Sequence, residues 1–227
     1  MTQGVSVPAT VVCTTCLLSS LNGAVQIQCL TPSPVSPQPV GTTITWTVTA
    51  PDTDPGVLDC RFSFQSASAA KYTIVRDFHP SNSLEWTMSE RDGAFLILAT
   101  ARNTSTGAVA SEPALFVVSS RVTGATPVVN ATAHPLAALY SPPPCTAGDT
   151  MRVRFRAKGA AVLDATPSKD CSGAFSMNFY VARLRANTTY FARHKIMSGG
   201  STLGPVLQFM PGSIPPDLSV QHGAAST

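Results

Sequence analysis

The most regular feature of the chain is strict alternation. Thr43-Ile44-Thr45-Trp46-Thr47-Val48-Thr49 sets an apolar residue at every second position, between threonines. A period of two with β-branched residues marks a half-buried strand, with Ile44, Trp46 and Val48 turned inward. Before it, Pro32, Pro34, Pro37 and Pro39 space out a stretch that cannot be helical. After it, Pro51-Asp52-Thr53-Asp54-Pro55-Gly56 gathers residues that set turn dihedrals. Arg61-Phe62-Ser63-Phe64 reads as the next strand, with both phenylalanines buried. Leu84-Glu85-Trp86-Thr87-Met88 alternates again, Phe95 to Ala101 is a longer apolar strand, and Ala114 to Val118 closes the set. Short strands about 8–15 residues apart, with turn signals between, predict an antiparallel sandwich.

The second half repeats the style. Met151-Arg152-Val153-Arg154-Phe155-Arg156 alternates strictly, and so does Ser176-Met177-Asn178-Phe179-Tyr180-Val181. Leu184-Arg185-Ala186-Asn187-Thr188-Thr189-Tyr190 then leads into a strand from Tyr190 to Met197. This Leu-x-x-x-Thr-x-Tyr spacing resembles the fibronectin type III pattern Leu-x-Pro-x-Thr-x-Tyr, in which a tyrosine corner fixes the bend before a strand. Ala186 stands where that family prefers proline. No segment holds a 3.6-residue period over three turns. The expected fold class is all-β, two consecutive antiparallel β-sandwiches over residues 24–120 and 128–216, with the boundary near Arg121 to Pro127.

Composition removes several classes. Only 12% of the 227 residues are charged, against about 25% in ordinary domains. The longest nearly apolar stretch, Gly93 to Ala99, falls short of the roughly 18–20 residues a membrane-spanning helix needs. Disorder requires low hydrophobicity and high net charge, whereas this chain is 44% hydrophobic with a net charge of +3. Aromatic residues make up 7%, enough for cores without a carbohydrate-stacking surface. Residues 1–23 resemble a degraded export signal, since the apolar region Val11 to Leu21 is broken by Thr14, Thr15, Ser19 and Ser20 and no basic residue precedes it. Residues 217–227 form a tail.

Six cysteines do not fix their own pairing. Cys145 and Cys171 share one half of the chain, each in a turn-rich context, and are the expected disulfide; Cys29–Cys60 is a second candidate. Cys13-Thr14-Thr15-Cys16 lacks the second ligand pair that zinc needs and the βαβ context of a redox motif. Composition and cysteines together point to an extracellular, cell-surface or periplasmic location.

Ala133-His134-Pro135-Leu136-Ala137-Ala138-Leu139-Tyr140-Ser141-Pro142-Pro143-Pro144-Cys145 is similar to the opening of the N-terminal domain of bacterial arylsulfotransferase-like proteins. Met151 to Phe155, Asn178 to Ala182, Thr189-Tyr190 and the closing Gly204 to Pro215 extend the likeness over about residues 128–216. Residues 24–120 resemble the Ig-like or PKD-like domain that can precede it. The resemblance implies a PAPS-independent sulfuryl transferase whose histidine nucleophile sits on a large β-propeller. Asp217 to Thr227 cannot make one four-stranded blade, so no catalytic residue carries over. The implied role is a non-catalytic scaffold or docking element, with a propeller domain or another subunit as partner.

Other catalytic constellations are missing. There is no Gly-x-Ser-x-Gly elbow, His-Glu-x-x-His or Gly-rich phosphate loop, so no cofactor is expected. Among the histidines, His79 lies in a turn, His134 precedes Pro135 and His222 is in the tail. His194 alternates with Ala192 and Ile196 on the inward side of its strand, as a partly buried neutral histidine. Asp52, Asp54 and Asp59 could contribute to a calcium site, but Asp-Pro-Gly is ordinary turn chemistry and no metal is assigned. Asn103, Asn130 and Asn187 head formal glycosylation sequons that read as coincidental in a Thr-rich chain.

Charge is the one feature that is not generic. Residues 24–120 hold 5 basic and 8 acidic residues, net −3, while residues 121–214 hold 10 basic and 3 acidic, net +7. Arg152, Arg154 and Arg156 share one strand face at about 6.6–7 Å intervals, and Lys158 continues the series. Arg193 and Lys195 lie on the outward side of another strand. One reading is a basic face for an anionic glycan, lipid headgroups or an acidic partner, though not nucleic acid. The other is a solvated face that resists edge pairing.

Overall fold

The computed structural model describes residues 25–66 and 69–213. Cys13, Cys16, His222 and the segments 1–23 and 217–227 lie outside the described residues. Seventeen strands and no helix occur among the described residues. Contacts divide them into two compact units. One comprises residues 25–38, 42–87 and 93–119; the other comprises Pro39–Gly41, Met88–Asp92 and the chain from Ser120 on. The two short segments thus cluster apart from the rest of 24–120.

The first unit carries β1 (Cys29–Ser33), β2 (Gln38–Pro39), β3 (Thr43–Thr49), β4 (Leu58–Ser66), β5 (Thr73–His79), β6 (Ser83–Thr87), β7 (Gly93–Asn103) and β8 (Val109–Ser119). They form a three-stranded sheet β1-β3-β6 and a five-stranded sheet β2-β8-β7-β4-β5. As the alternation predicts, Ile44, Trp46 and Val48 are buried, and they share a core with Phe62, Ile97, Ala99 and Phe116. Trp46 meets Phe116 edge-on, 5.4 Å between ring centroids. Burial of each such large side chain contributes about 1.5–3 kcal/mol, so Trp46→Ala would remove a central piece of this unit. Phe64 is only half-buried, tilted against Trp86 at 4.7 Å.

The second unit carries β9 (Val128–Ala131), β10 (Ala138–Ser141), β11 (Thr150–Ala157), β12 (Asp164–Ala165), β13 (Lys169–Asp170), β14 (Phe179–Val181), β15 (Tyr190–Met197), β16 (Ser201–Leu203) and β17 (Leu207–Phe209). One sheet runs β14-β10-β9; the other runs β12-β11-β15-β16, with β13 also on β11 and β17 also on β15. Each unit therefore repeats one plan. A three-stranded sheet faces a second sheet whose two central antiparallel strands, β4 and β7 or β11 and β15, sit side by side. The chain is all-β, with Ig/fibronectin type III-like sandwiches.

Three local features fix the second unit. Tyr190 opens β15 and its hydroxyl accepts the Arg185 N–H at 2.9 Å, the bond expected of a tyrosine corner. Asn187 takes a φ of 53° in the turn between them. The Cys145–Cys171 disulfide is formed and closes a 26-residue separation, a span for which loop entropy stabilises the fold by about 3–4 kcal/mol.

The sequence reading needs correction in three places. Cys60 is a buried free thiol on β4, opposite Ala101, whereas Cys29 lies on β1 opposite Thr49 in the other sheet; Cys29–Cys60 is not formed. Only Phe179–Val181 of the 176–181 alternation is strand, because Ser176, Met177 and Asn178 are all buried. There the Asn178 amide donates to the carbonyls of Glu90 and Ser176 instead of facing solvent. Lys158 lies past β11 in a turn, its N–H bonded to the Thr189 carbonyl, and does not extend the arginine series.

Candidate basic docking face

β11 and β15 are the two central strands of the second unit's larger sheet. Their inward residues Met151, Val153, Phe155, Tyr190, Ala192 and His194 are buried, which forces the alternate positions outward. The register then sets Arg152 opposite Lys195, Arg154 opposite Arg193, and Arg156 opposite Phe191. All five cations expected from the sequence thus stand on one sheet face. Directly opposed Cβ atoms in such a pair are about 4.5–5.5 Å apart, and like charges so placed destabilise a sheet by up to about 1 kcal/mol. Arg152–Lys195 and Arg154–Arg193 are two stacked like-charge pairs.

Nothing among the described residues neutralises them. None of the five forms an ion pair or donates a side-chain hydrogen bond to a described residue; the Arg152 Nε–H is buried without a partner. The nearby carboxylates, Asp164 and Asp170, sit exposed on the short edge strands β12 and β13. Arg156 is exposed, and the other four cations are half-buried.

At one end the face opens into a cleft of about 360 Å³, lined by Arg154, Arg156, Arg193, Phe191, Leu163 and Val206. Three guanidinium groups and three apolar side chains therefore share one concavity. Leu203, opposite Lys195 in the β15–β16 pairing, adds another exposed aliphatic group to the same face. Phe191 was within reach of sequence reasoning, since it alternates with Arg193 and Lys195. Leu163, Leu203 and Val206 were not, because only the pairing of short strands brings them there.

The inner side of the same strand has a different chemistry. The Tyr140 hydroxyl lies 3.0 Å from His194 Nδ1 and accepts the His194 N–H at 3.2 Å. Burial pushes the Tyr140 phenol up to about 12 and lowers the His194 imidazole from its ordinary value. Gly204 covers the ring so closely that a Cβ there would overlap it. His194 is thus a packed neutral histidine, as the alternation predicts. The Nδ1 atoms of His79 and His134 accept backbone N–H groups of Ser81 and Leu136, which ties both rings to turns. Asp52 accepts from Asp54 N and the Asn103 amide, and Asp59 pairs with Arg102 at 3.3 Å. Those carboxylates hold a turn and a strand pair together. Asn103 is itself fully buried.

No family model matches the chain, and no curated protein matches it. Among solved structures it is similar to the FN1-FN3 domains of chicken CNTN1, at 12% identity and a TM-score of 0.34, over 80% of this chain and 67% of that one. It is also similar to the chicken interferon gamma receptor alpha chain, at 12% identity and a TM-score of 0.31, over 80% and 98% of the two chains. A cytokine receptor complex gives 15% identity and a TM-score of 0.33, over 82% and 98%. These likenesses add nothing about ligand or activity to what the face itself carries.

Proposed function

We propose that the chain is a non-catalytic binding module of an extracellular or periplasmic protein, and that the β11–β15 face docks on a polyanion. One observation carries this reading: two like-charge pairs, Arg152–Lys195 and Arg154–Arg193, are stacked on adjacent strands with no carboxylate paired to them. A face evolved only for solubility gains nothing from opposing like charges. An anionic surface laid over it would turn that cost into attraction. The disulfide fits an oxidising compartment, and no helix among the described residues is long and apolar enough to cross a membrane.

The resemblance of residues 128–216 to arylsulfotransferase-like N-terminal domains supports a compatible setting. There the two sandwiches serve as scaffold beside a catalytic propeller, and the polyanion is an acidic surface of that partner. In this setting the chain alone transfers no sulfuryl group from an aryl sulfate to a phenol; measurable transfer by the purified chain refutes the non-catalytic role. The docking reading is tested by elution from a sulfated polysaccharide column. Wild type should elute late and respond to salt, since surface charges are screened within about 10 Å at 0.1 M. The triple variant Arg152→Ser, Arg154→Ser, Arg193→Ser should elute early.

A further inference from the structure

The apolar members of this face narrow the class of partner. Leu163, Leu203 and Val206 are 42%, 43% and 56% exposed, on a face whose remaining centre is cationic. Leu203 stands opposite Lys195, and Leu163 and Val206 line the cleft together with Arg154, Arg156 and Arg193. Exposed aliphatic side chains also occur on the first unit, Ile74 on β5 and Val109, Leu115 and Val117 on β8. What sets Leu163, Leu203 and Val206 apart is their place beside cations that have no described partner.

A soluble acidic glycan makes poor use of this arrangement. Sugar rings present hydroxyls that ask for directional donors and acceptors, and apolar faces that ask for flat aromatic groups. Here the one aromatic ring, Phe191, is half-buried in the cleft, and Gln208, opposite it in the β15–β17 pairing, is the one amide on these paired strands. An anionic bilayer asks for something different. Its headgroups diffuse laterally, so cations at irregular spacing find partners without directional readout, and aliphatic side chains gain by entering the boundary between headgroups and acyl chains.

Resting on the docking reading above, we infer that the β11–β15 face binds the surface of an anionic lipid bilayer. Arg152, Arg154, Arg156, Arg193 and Lys195 meet lipid phosphates, while Leu163, Leu203 and Val206 enter the interface beside them. No bond is made or broken, and the attachment is reversible. Acidic polysaccharide is the rival partner that the experiment separates.

The test is co-flotation of the purified chain with vesicles of phosphatidylcholine alone, or of phosphatidylcholine with phosphatidylglycerol at about three to one. Wild type should float with the anionic vesicles and not with the neutral ones. Arg152→Ser, Arg154→Ser, Arg193→Ser should weaken binding about a hundredfold, at roughly fivefold for each cation lost. Leu163→Ser, Leu203→Ser, Val206→Ser should weaken it about tenfold with every charge kept. Melting temperatures no lower than wild type confirm that both variants fold; if the aliphatic triple melts early, Val206→Ser alone, at the most exposed of the three sites, replaces it.

Anionic-vesicle binding that survives the aliphatic substitutions undiminished overturns the bilayer inference and leaves the polyanion reading standing. Failure to float together with salt-sensitive retention on sulfated polysaccharide does the same and identifies the partner as a glycan. Failure in both assays removes both proposals.

Discussion

In the first unit Arg61, Arg76 and Arg102 are engaged by their surroundings. Arg61 pairs with Asp77 at 4.0 Å and lies over the Phe78 ring, and Arg102 reaches Asp59 while stacking on that same ring. Arg76 donates to the carbonyls of Ser81 and Ser83, at 2.6 Å each, above Phe62. In the second unit Arg152, Arg154, Arg156 and Arg193 stand on the central strands β11 and β15 and have no described partner. One strand plan thus hosts two uses of arginine. Where carboxylates, rings and carbonyls are supplied, the guanidinium groups tie strands together; where they are withheld, binding capacity is left over for a partner outside the chain.

The two units also differ in how they are held, and this gives the largest expected effect. Reduction, or Cys145→Ala with Cys171→Ala, should cost the second unit about 3–4 kcal/mol by loop entropy. The first unit has no described disulfide and should not respond. Trp46 and Trp86, the two tryptophans, both lie in the first unit, so tryptophan fluorescence should melt unchanged while amide exchange across β10–β15 accelerates. A shifted tryptophan transition would mean that the units do not unfold separately.

Arginine substitutions probe the contrast directly. Arg76→Ala strands two carbonyls and loses a ring contact, and should destabilise by about 2–3 kcal/mol, since hydrogen bonds from charged donors are worth about 1.5–3 kcal/mol. Arg154→Ser removes one side of a like-charge pair and should leave stability within about 0.5 kcal/mol of wild type, or raise it slightly. Urea denaturation of both variants measures the difference. Equal losses would erase the distinction between structural and docking arginines.

Much of this was legible in the sequence, for an identifiable reason. Ile44, Trp46 and Val48, and the series Arg152 to Arg156, lie in strands with one wet and one dry face, so alternation records their orientation. β10 left no such trace because all four of its residues are buried. β5 left none because it is a mostly exposed edge strand whose pairing with β4 slips register at Phe62. The outward direction of the five cations could be read, but their pairing across β11 and β15 could not, since register is set by turn geometry and by packing. The partial failure at Ser176–Asn178 has a local cause. Alternation alone turns Asn178 toward water, whereas its buried amide donates to the carbonyls of Glu90 and Ser176.

The smallest effect is a dependence on pH. Burial holds the His194 imidazole below its ordinary 6.5, so on acidification the unfolded chain takes up a proton before the native one does. The second unit should therefore be most stable above about pH 6.5 and lose stability as pH falls toward the native value. His194→Gln should flatten that loss in melts between about pH 7.5 and 5.5. The first unit has no buried histidine among its described residues, so its transition should stay level over this window.

The central claim is that the β11–β15 face is a docking surface, and equilibrium binding to a sulfated polysaccharide and to anionic vesicles, at low and high salt, tests it most directly. The account predicts that wild type binds at least one of them in a salt-sensitive way. Replacing Arg152, Arg154 and Arg193 with serine should weaken that binding by about two orders of magnitude without lowering the melting temperature. Affinity and salt response that stay the same in a folded triple variant would contradict it.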